Sequence, residues 1–159
     1  MKTLLMLTAA AAVAGSAAAA EIKAGDLTLK DTVVRAVGPG VPNTAAYLTI
    51  SNGGAKADKL LAASCDCSKS VEIHISHVMN GMAMMMPSGP LAIPAGGSAR
   101  FAPGGQHLMV TGLKGALADG AVQTITLRFE HAGVVKAAFD VRSRVPVGPA
   151  PAMSMPMSH

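Results

Sequence analysis

The 159-residue sequence has no tryptophan, and only 3% of its residues are aromatic. The aromatic side chains are scattered at Tyr47, Phe101, Phe129 and Phe139, and the sequence has no cluster of Lys or Arg. Proteins that bind nucleic acid usually combine a basic groove with aromatic rings on which bases stack. Because the formal net charge of +4 is spread over the chain, we predict that nucleic acid is not a partner.

The sequence also lacks the motifs of common enzyme classes. It contains no Gly-rich phosphate loop, no Gly-x-Ser-x-Gly nucleophile elbow and no histidine–carboxylate spacing typical of a zinc hydrolase. We therefore predict that the protein is not an enzyme.

Long apolar runs are confined to the N-terminus. Lys2 is followed by an apolar segment, residues 4–13, and then by three alanines that end at Ala20. This order is typical of a secretory signal peptide. A transmembrane anchor is the alternative, but residues 4–20 are mostly alanine and fewer than the roughly 20 apolar residues of a membrane span. We expect residues 1–20 to be removed and the mature protein to lie in the periplasm without stable membrane insertion.

The rest of the chain is long enough for one domain and too short for two. Short segments of apolar or alternating residues, separated by Gly, Pro and Asn-Gly turns, predict an antiparallel β-sandwich or small barrel. We predict a domain over residues 21–145 and a disordered, proline-rich tail over residues 146–159. The candidate strands cover residues 27–37, 44–51, 58–64, 71–79, 82–86, 98–101, 106–112, 122–130 and 134–142.

Four potential metal ligands lie on three of these strands, namely His74, Met85, His107 and Met109. Because side chains alternate along a strand, His74 faces away from its apolar neighbours, and His107 and Met109 face the same side. Two neutral imidazoles and two thioethers form a partly soft donor set that suits Cu(I) better than zinc, calcium or magnesium. We therefore predict a Cu(I) site with both histidines on exposed strand faces.

Other residues near this set have weaker signals. His77 has the opposite parity to His74, so we expect it to point to the interior or to an edge, and His131 lies in a predicted turn. We expect Met82, Met84 and Met86 to pack while Met85 faces the site, and Met79 and Met82 could cover it without binding metal.

Two further groups could bind metal. Cys65 and Cys67 could bind copper or carry redox equivalents, but we expect them to be buried or joined to each other. The tail could hold a second copper, including Cu(II) through His159, or could be inert. Its potential ligands are Met153, Met155, Met157 and His159.

The chain resembles the periplasmic copper chaperone family PCu(A)C over residues 26–142. The resemblance rests on the H-x10-M-x21-H-x-M spacing of the four ligands and on the segments 71–74, 85–87, 93–97 and 103–109 around them. It implies a cupredoxin-like, Greek-key β-sandwich that binds Cu(I) through His74, Met85, His107 and Met109. It also implies delivery to a copper-accepting protein, either a cytochrome c oxidase subunit or another periplasmic copper chaperone.

Two other copper functions are alternatives. An electron-transfer cupredoxin needs a cysteine thiolate between its two histidines, whereas Cys65 and Cys67 both precede His74. A copper-sequestering resistance protein would have the same ligands as a chaperone, so the sequence does not separate these two functions.

Overall fold

The structure is a computed structural model that describes residues 20–145. The predicted signal peptide, apart from Ala20, and the predicted tail with its four potential ligands lie outside these residues. Within the described range, no helix is long and apolar enough to cross a membrane.

Residues 20–145 form strands joined by turns and loops, which confirms the all-β prediction. The strands are β1 Ile22–Ala24, β2 Leu27–Arg35, β3 Asn43–Asn52, β4 Asp58–Ser64, β5 Ser70–Met79, β6 Met82–Pro87, β7 Leu91–Ile93, β8 Ser98–Phe101, β9 Gln106–Thr111, β10 Val122–Phe129 and β11 Val134–Arg142. The two short strands β1 and β7 are absent from the sequence prediction, because three residues are too few to show an alternating pattern.

The strands pair in the order β1-β2-β11-β10-β4-β5-β9-β3-β8, and an additional pairing of β2 with β3 closes a circuit of strands. One pairing departs from the antiparallel prediction, since β11 runs parallel to β2. Parallel neighbours need a long connection between them, and here almost the whole domain lies between the two strands. The pairing is therefore mixed, although the other pairs between the strands of residues 20–145 are antiparallel.

The core is a continuous apolar cluster enclosed by this circuit. In β10, Ile125, Leu127 and Phe129 are buried while the residues between them are at least partly exposed, as the alternation predicts. Burying a Leu, Ile or Phe side chain stabilises the fold by about 1.5–3 kcal/mol. The largest fully buried side chains are Phe139, Leu27, Leu29, Leu48, Ile50, Leu60, Ile93, Leu108, Ile125, Leu127, Val34 and Val110.

A hairpin of β5 and β6 extends beyond the core. Met79 pairs with Met82 across a two-residue loop, and the loop residues Asn80 and Gly81 both have positive φ, 52° and 77°. This is the backbone of a type I′ turn, which favours Asn-Gly because these residues tolerate left-handed conformations. The turn continues β5 into β6, so that β6 pairs with β5 alone.

Cys65 and Cys67 form a disulfide bond. This confirms the prediction that the two cysteines are mutually oxidised. Because both sulfurs are used in this bond, neither is a thiolate ligand in this state of the protein.

Candidate metal centre

The register of β5 and β9 places His74 directly opposite His107. Their ring centroids are 5.9 Å apart, and the ring planes are tilted by 51°. A first-row metal ion binds an imidazole nitrogen at about 2 Å, so two rings that share one ion have centroids roughly 6 Å apart. The observed separation therefore fits a single ion held between the two rings.

The hydrogen bond of His74 determines which of its nitrogens is free. Nε2 lies 3.0 Å from the carboxylate oxygen Oε2 of Glu72, and because a carboxylate accepts, Nε2 must carry the hydrogen. Nδ1 is buried and has no hydrogen-bond partner. In the tautomer with the hydrogen on Nε2, Nδ1 is the nitrogen left for a metal, which binds the neutral form of the ring.

His107 has the complementary arrangement. Its Nδ1 donates to the carbonyl oxygen of Gly105 at 3.3 Å, while Nε2 is buried without a partner. Burial lowers the pKa of His107, the bond to Gly105 opposes this, and the neighbouring His74 lowers it further. A histidine that gives one N–H to a carboxylate or carbonyl and leaves the other nitrogen bare has the arrangement of a metal ligand.

The prediction that both histidines lie on exposed faces is wrong for His107, whose exposed fraction is 4%, and the side chain of His74 is only 14% exposed. The ring does face away from Leu108, but that face of the sheet is covered. The cleft beside His107 is also lined by Arg35, Tyr47 and Met85, which belong to three other strands. Alternation along one strand shows which side a residue faces, and only the tertiary structure shows what covers that side.

The two methionines lie on the same face as the histidines. Met109 is two residues from His107 on β9, and Met85 is opposite Ser76, which is two residues from His74. Met85, His107 and Met109 line one cleft, whereas His74 is not among the residues that line it. The structure therefore brings the four predicted ligands to one face, with Met85 at the rim, where 61% of it is exposed.

The other methionines of the hairpin do not pack in the core, contrary to the prediction. Every residue of β6 is exposed, because the hairpin extends beyond the enclosed core. Met82, Met84 and Met86 pair with residues of β5 that face away from His74. Met79 and Met82 consequently lie on the opposite face of the hairpin and do not cover the candidate centre.

Sequence reasoning did not identify two neighbours of the centre, Arg35 and Tyr47. Arg35 and Tyr47 line the cleft from β2 and β3, and burial raises the pKa of Tyr47 while Arg35 opposes this. Their positions depend on strand pairing, which no local signal reveals. Strand alternation does place Glu72 on the face of His74, two positions away, and the structure adds the hydrogen bond between them.

The donors at this centre are uncharged and partly soft. Within residues 20–145 there is no group of three or more His, Cys, Asp and Glu side chains that could hold a metal, so the ligands of a typical zinc or calcium site are not brought together. Two imidazole nitrogens with two thioethers instead suit Cu(I). His131 takes no part, since its side chain is 63% exposed in a turn far along the chain.

Two comparisons of sequence identify relatives of this chain. The family described as "Putative lipoprotein LpqE-like" matches residues 27–141. A relative from Leifsonia xyli subsp. xyli, named "Putative lipoprotein Lxx21020", is 33% identical over 110 residues, which cover 69% of this chain and 65% of that protein. The match therefore spans less than two thirds of that relative's length.

Solved structures share the fold. The apo PCuAC domain from PmoF1 is 27% identical with a TM-score of 0.69, and the match covers 79% of this chain and 100% of that domain. The Cu(I) form of DR1885 from Deinococcus radiodurans is 30% identical with a TM-score of 0.61, and the match covers 83% of this chain and 87% of that protein. The predicted β-sandwich is thus confirmed by its structural neighbours as well as by its strands.

Proposed function

The chain belongs to the LpqE-like family, and we propose that it is a periplasmic copper carrier that binds Cu(I) and passes it to a copper-accepting protein. The proposed ligands are His74, Met85, His107 and Met109. The observation that carries the proposal is the pair of opposed histidines, each with one ring nitrogen bare, buried and without a hydrogen-bond partner. Buried polar atoms without partners are rare in native proteins, and a soft cation between these two rings would satisfy both.

The gradient of exposure across the centre favours carriage over permanent storage. His107 is 4% exposed, whereas Met85 is 61% exposed at the rim. An incoming ligand from an acceptor can therefore replace the Met85 thioether first and reach the buried nitrogens later. Exchange of ligands one at a time would transfer the ion without releasing it into solution.

The comparisons and the N-terminal sequence bear on the copper acceptor and on the location of the protein. The Cu(I)-bound neighbour and the PCuAC neighbour support a copper acceptor, which we propose to be a cytochrome c oxidase subunit or another periplasmic copper chaperone. The N-terminal leader pattern and the lipoprotein names of the family and its relative support export. We propose carriage rather than catalysis, because the sequence has none of the enzyme motifs considered above and the proposal uses both bare imidazole nitrogens as copper ligands.

A competition titration tests Cu(I) binding. The full chain is mixed without oxygen with a Cu(I)-specific chromogenic chelator, and the copper withdrawn from the chelator is measured. We expect His107→Ala to weaken binding by at least about 100-fold, since it removes a ligand rather than a group that supports one. His131→Ala is the matched control, and unchanged affinity in His107→Ala would refute the assignment.

A transfer assay separates carriage from the alternatives. The Cu(I)-loaded chain is mixed with an apo copper domain of an oxidase, and the copper content of each protein is measured after separation. Transfer supports a carrier, whereas copper that stays on the chain supports sequestration. An intense blue colour after addition of Cu(II) would instead support an electron-transfer site with a thiolate ligand.

A further inference from the structure

The side of the β5–β6 hairpin that faces away from His74 carries a second group of soft donors. Across the two strands, Met86 is opposite Ile75, Met84 is opposite His77, and Met82 is opposite Met79. Directly opposed residues of antiparallel strands point to the same side, as do residues two positions apart on one strand. These residues therefore form one face of the hairpin, here called the distal face. Beyond Ile75, it consists of His77, Met79, Met82, Met84 and Met86.

These donors are close enough to share one ion. Directly opposed residues have Cβ atoms about 4.5–5.5 Å apart, so the His77 ring and the Met84 thioether can both reach a point between them. Met79 flanks His77, and Met82 and Met86 flank Met84 on the neighbouring strand. The ring of His77 is exposed and makes no hydrogen bond, ion pair or ring contact with another residue of the described part of the chain. Its nitrogens are thus available to a ligand.

Methionine-rich surfaces can also bind protein partners, but the imidazole among the thioethers of the distal face favours a metal site. Exposed apolar patches commonly bind partners, and a docking surface can be built from any large apolar residue. Here each large apolar side chain on the face beyond Ile75 is a thioether, with an imidazole among them. Thioethers with a neutral imidazole are soft ligands that select Cu(I).

We propose that His77 and Met84, together with the neighbouring thioethers of Met79, Met82 and Met86, form a second Cu(I) site on the distal face. This site goes beyond the proposed function, because it uses none of the donors of the first centre. It is more exposed than the first centre, since Met79, Met82, Met84 and Met86 are 58%, 67%, 44% and 48% exposed. Water competes more strongly for an exposed ion, so this site binds Cu(I) more weakly and exchanges it faster.

The test uses the methyl groups of the methionines as separate reporters. The full chain is labelled with carbon-13 at the methionine methyl groups, and Cu(I) is added stepwise without oxygen while the methyl signals are recorded by NMR. Each sample also carries Met153→Leu, Met155→Leu, Met157→Leu and His159→Ala, so that the tail offers no competing ligands. His107→Ala is introduced in one sample to disable the first centre.

In that His107→Ala sample, we expect the methyl signal of Met84 and at least one of its three neighbours to shift with Cu(I). Adding His77→Ala should abolish these shifts or move them to at least about tenfold higher copper, as expected when a ligand is lost. Adding His131→Ala, the matched control, should leave them unchanged. If the methyl signals of the distal face do not shift when Cu(I) is added, the second site is overturned, and a protein partner for this face is favoured instead. Shifts that persist at the same copper concentration after His77→Ala would also overturn it.

This design separates the second site from the proposed function. Loss of the shifts of Met85 and Met109 on His107→Ala reports only on the first centre, and loss of the Met84 shift on His77→Ala reports only on the distal face. Either result can fail while the other stands.

Discussion

His74 and His107 lie directly opposite each other on β5 and β9, and the nitrogen without a hydrogen-bond partner is Nδ1 in His74 but Nε2 in His107. His74 keeps Nδ1 bare because Nε2 donates to Glu72, whereas His107 keeps Nε2 bare because Nδ1 donates to Gly105. A buried polar atom without a partner costs about 1–3 kcal/mol. Each ring therefore has one destabilising atom in the absence of metal, and in the proposed function one cation satisfies both.

Binding of Cu(I) should consequently stabilise the folded protein. At a free Cu(I) concentration about a thousandfold above the dissociation constant, the free energy of unfolding should rise by about 4 kcal/mol. Thermal unfolding of the full chain with and without Cu(I), in the absence of oxygen, measures this change. The shift should largely disappear in His107→Ala, and an equal shift in both proteins would contradict the centre.

Met85 and Met86 are adjacent in sequence but lie on opposite faces of the hairpin, so they form a matched pair of substitutions. Met85→Leu should weaken the tightest Cu(I) site by about tenfold or more, because leucine has nearly the volume of methionine but no sulfur. Met86→Leu should leave that site unchanged. Chelator competition at one equivalent of copper measures both. Equal losses would show that the strand register does not select the ligand.

Glu72 should act on copper only through His74. Its carboxylate accepts the Nε2–H of His74 at 3.0 Å, which fixes the tautomer that leaves Nδ1 bare. Glu72→Gln should weaken Cu(I) binding by about tenfold, because the amide oxygen can still accept the Nε2–H but lacks the negative charge that makes the ring a stronger ligand. Glu130→Gln is the control, because Glu130 lies 3.9 Å from the exposed His131. An affinity unchanged by Glu72→Gln would refute this role.

The lowered pKa of His107 predicts how the apo protein responds to acid. An unfolded histidine binds its proton as the pH falls through about 6.5, whereas the folded His107 stays neutral to lower pH because it is buried. The free energy of unfolding should therefore fall as the pH drops from about 6.5 to the pKa of the folded state. NMR titration of the His107 ring in the apo protein should give a midpoint below about 6.5. A midpoint at or above that value would contradict the burial.

Asp58 predicts a second loss of stability at lower pH. Burial raises the pKa of its carboxyl, but backbone N–H groups of His131, Ala132 and Lys59 donate to it and the net pKa is lowered. Its contribution is therefore present above the unfolded pKa of about 3.9 and is lost as the pH falls through the folded pKa.

Asp58→Asn tests this contribution. The amide side chain offers one acceptor oxygen in place of two, so the free energy of unfolding at neutral pH should fall by about 1–3 kcal/mol. Below about pH 4, the free energy of unfolding should also decrease less in Asp58→Asn than in the unchanged chain. Denaturant unfolding across this range measures both effects, and an unchanged pH profile would show that the carboxylate does not stabilise the turn.

Local patterns predicted much of this fold. The alternation of Ile125, Leu127 and Phe129 with polar residues shows which side of β10 is buried, because side chains alternate along any strand. The Asn80-Gly81 pair marks its turn, since few other residues adopt the required backbone conformation. The same rules assign His74, Met85, His107 and Met109 as ligands through their residue types and spacing, and that assignment stays a proposal.

The tertiary structure decided what covers each face. Strand alternation turns His107 away from Leu108, but residues of other strands, among them Arg35, Tyr47 and Met85, line the cleft on that side. The ring is 4% exposed, and its burial lowers its pKa. Local sequence patterns also did not predict that β2 pairs in parallel with β11 or that the whole of β6 is exposed. Both features depend on contacts between distant segments. In this chain, the donor chemistry is set by residue types that can be read along the sequence. The two bare nitrogens of the proposed centre lie on facing residues only because strand register pairs His74 with His107, and both atoms are buried from water.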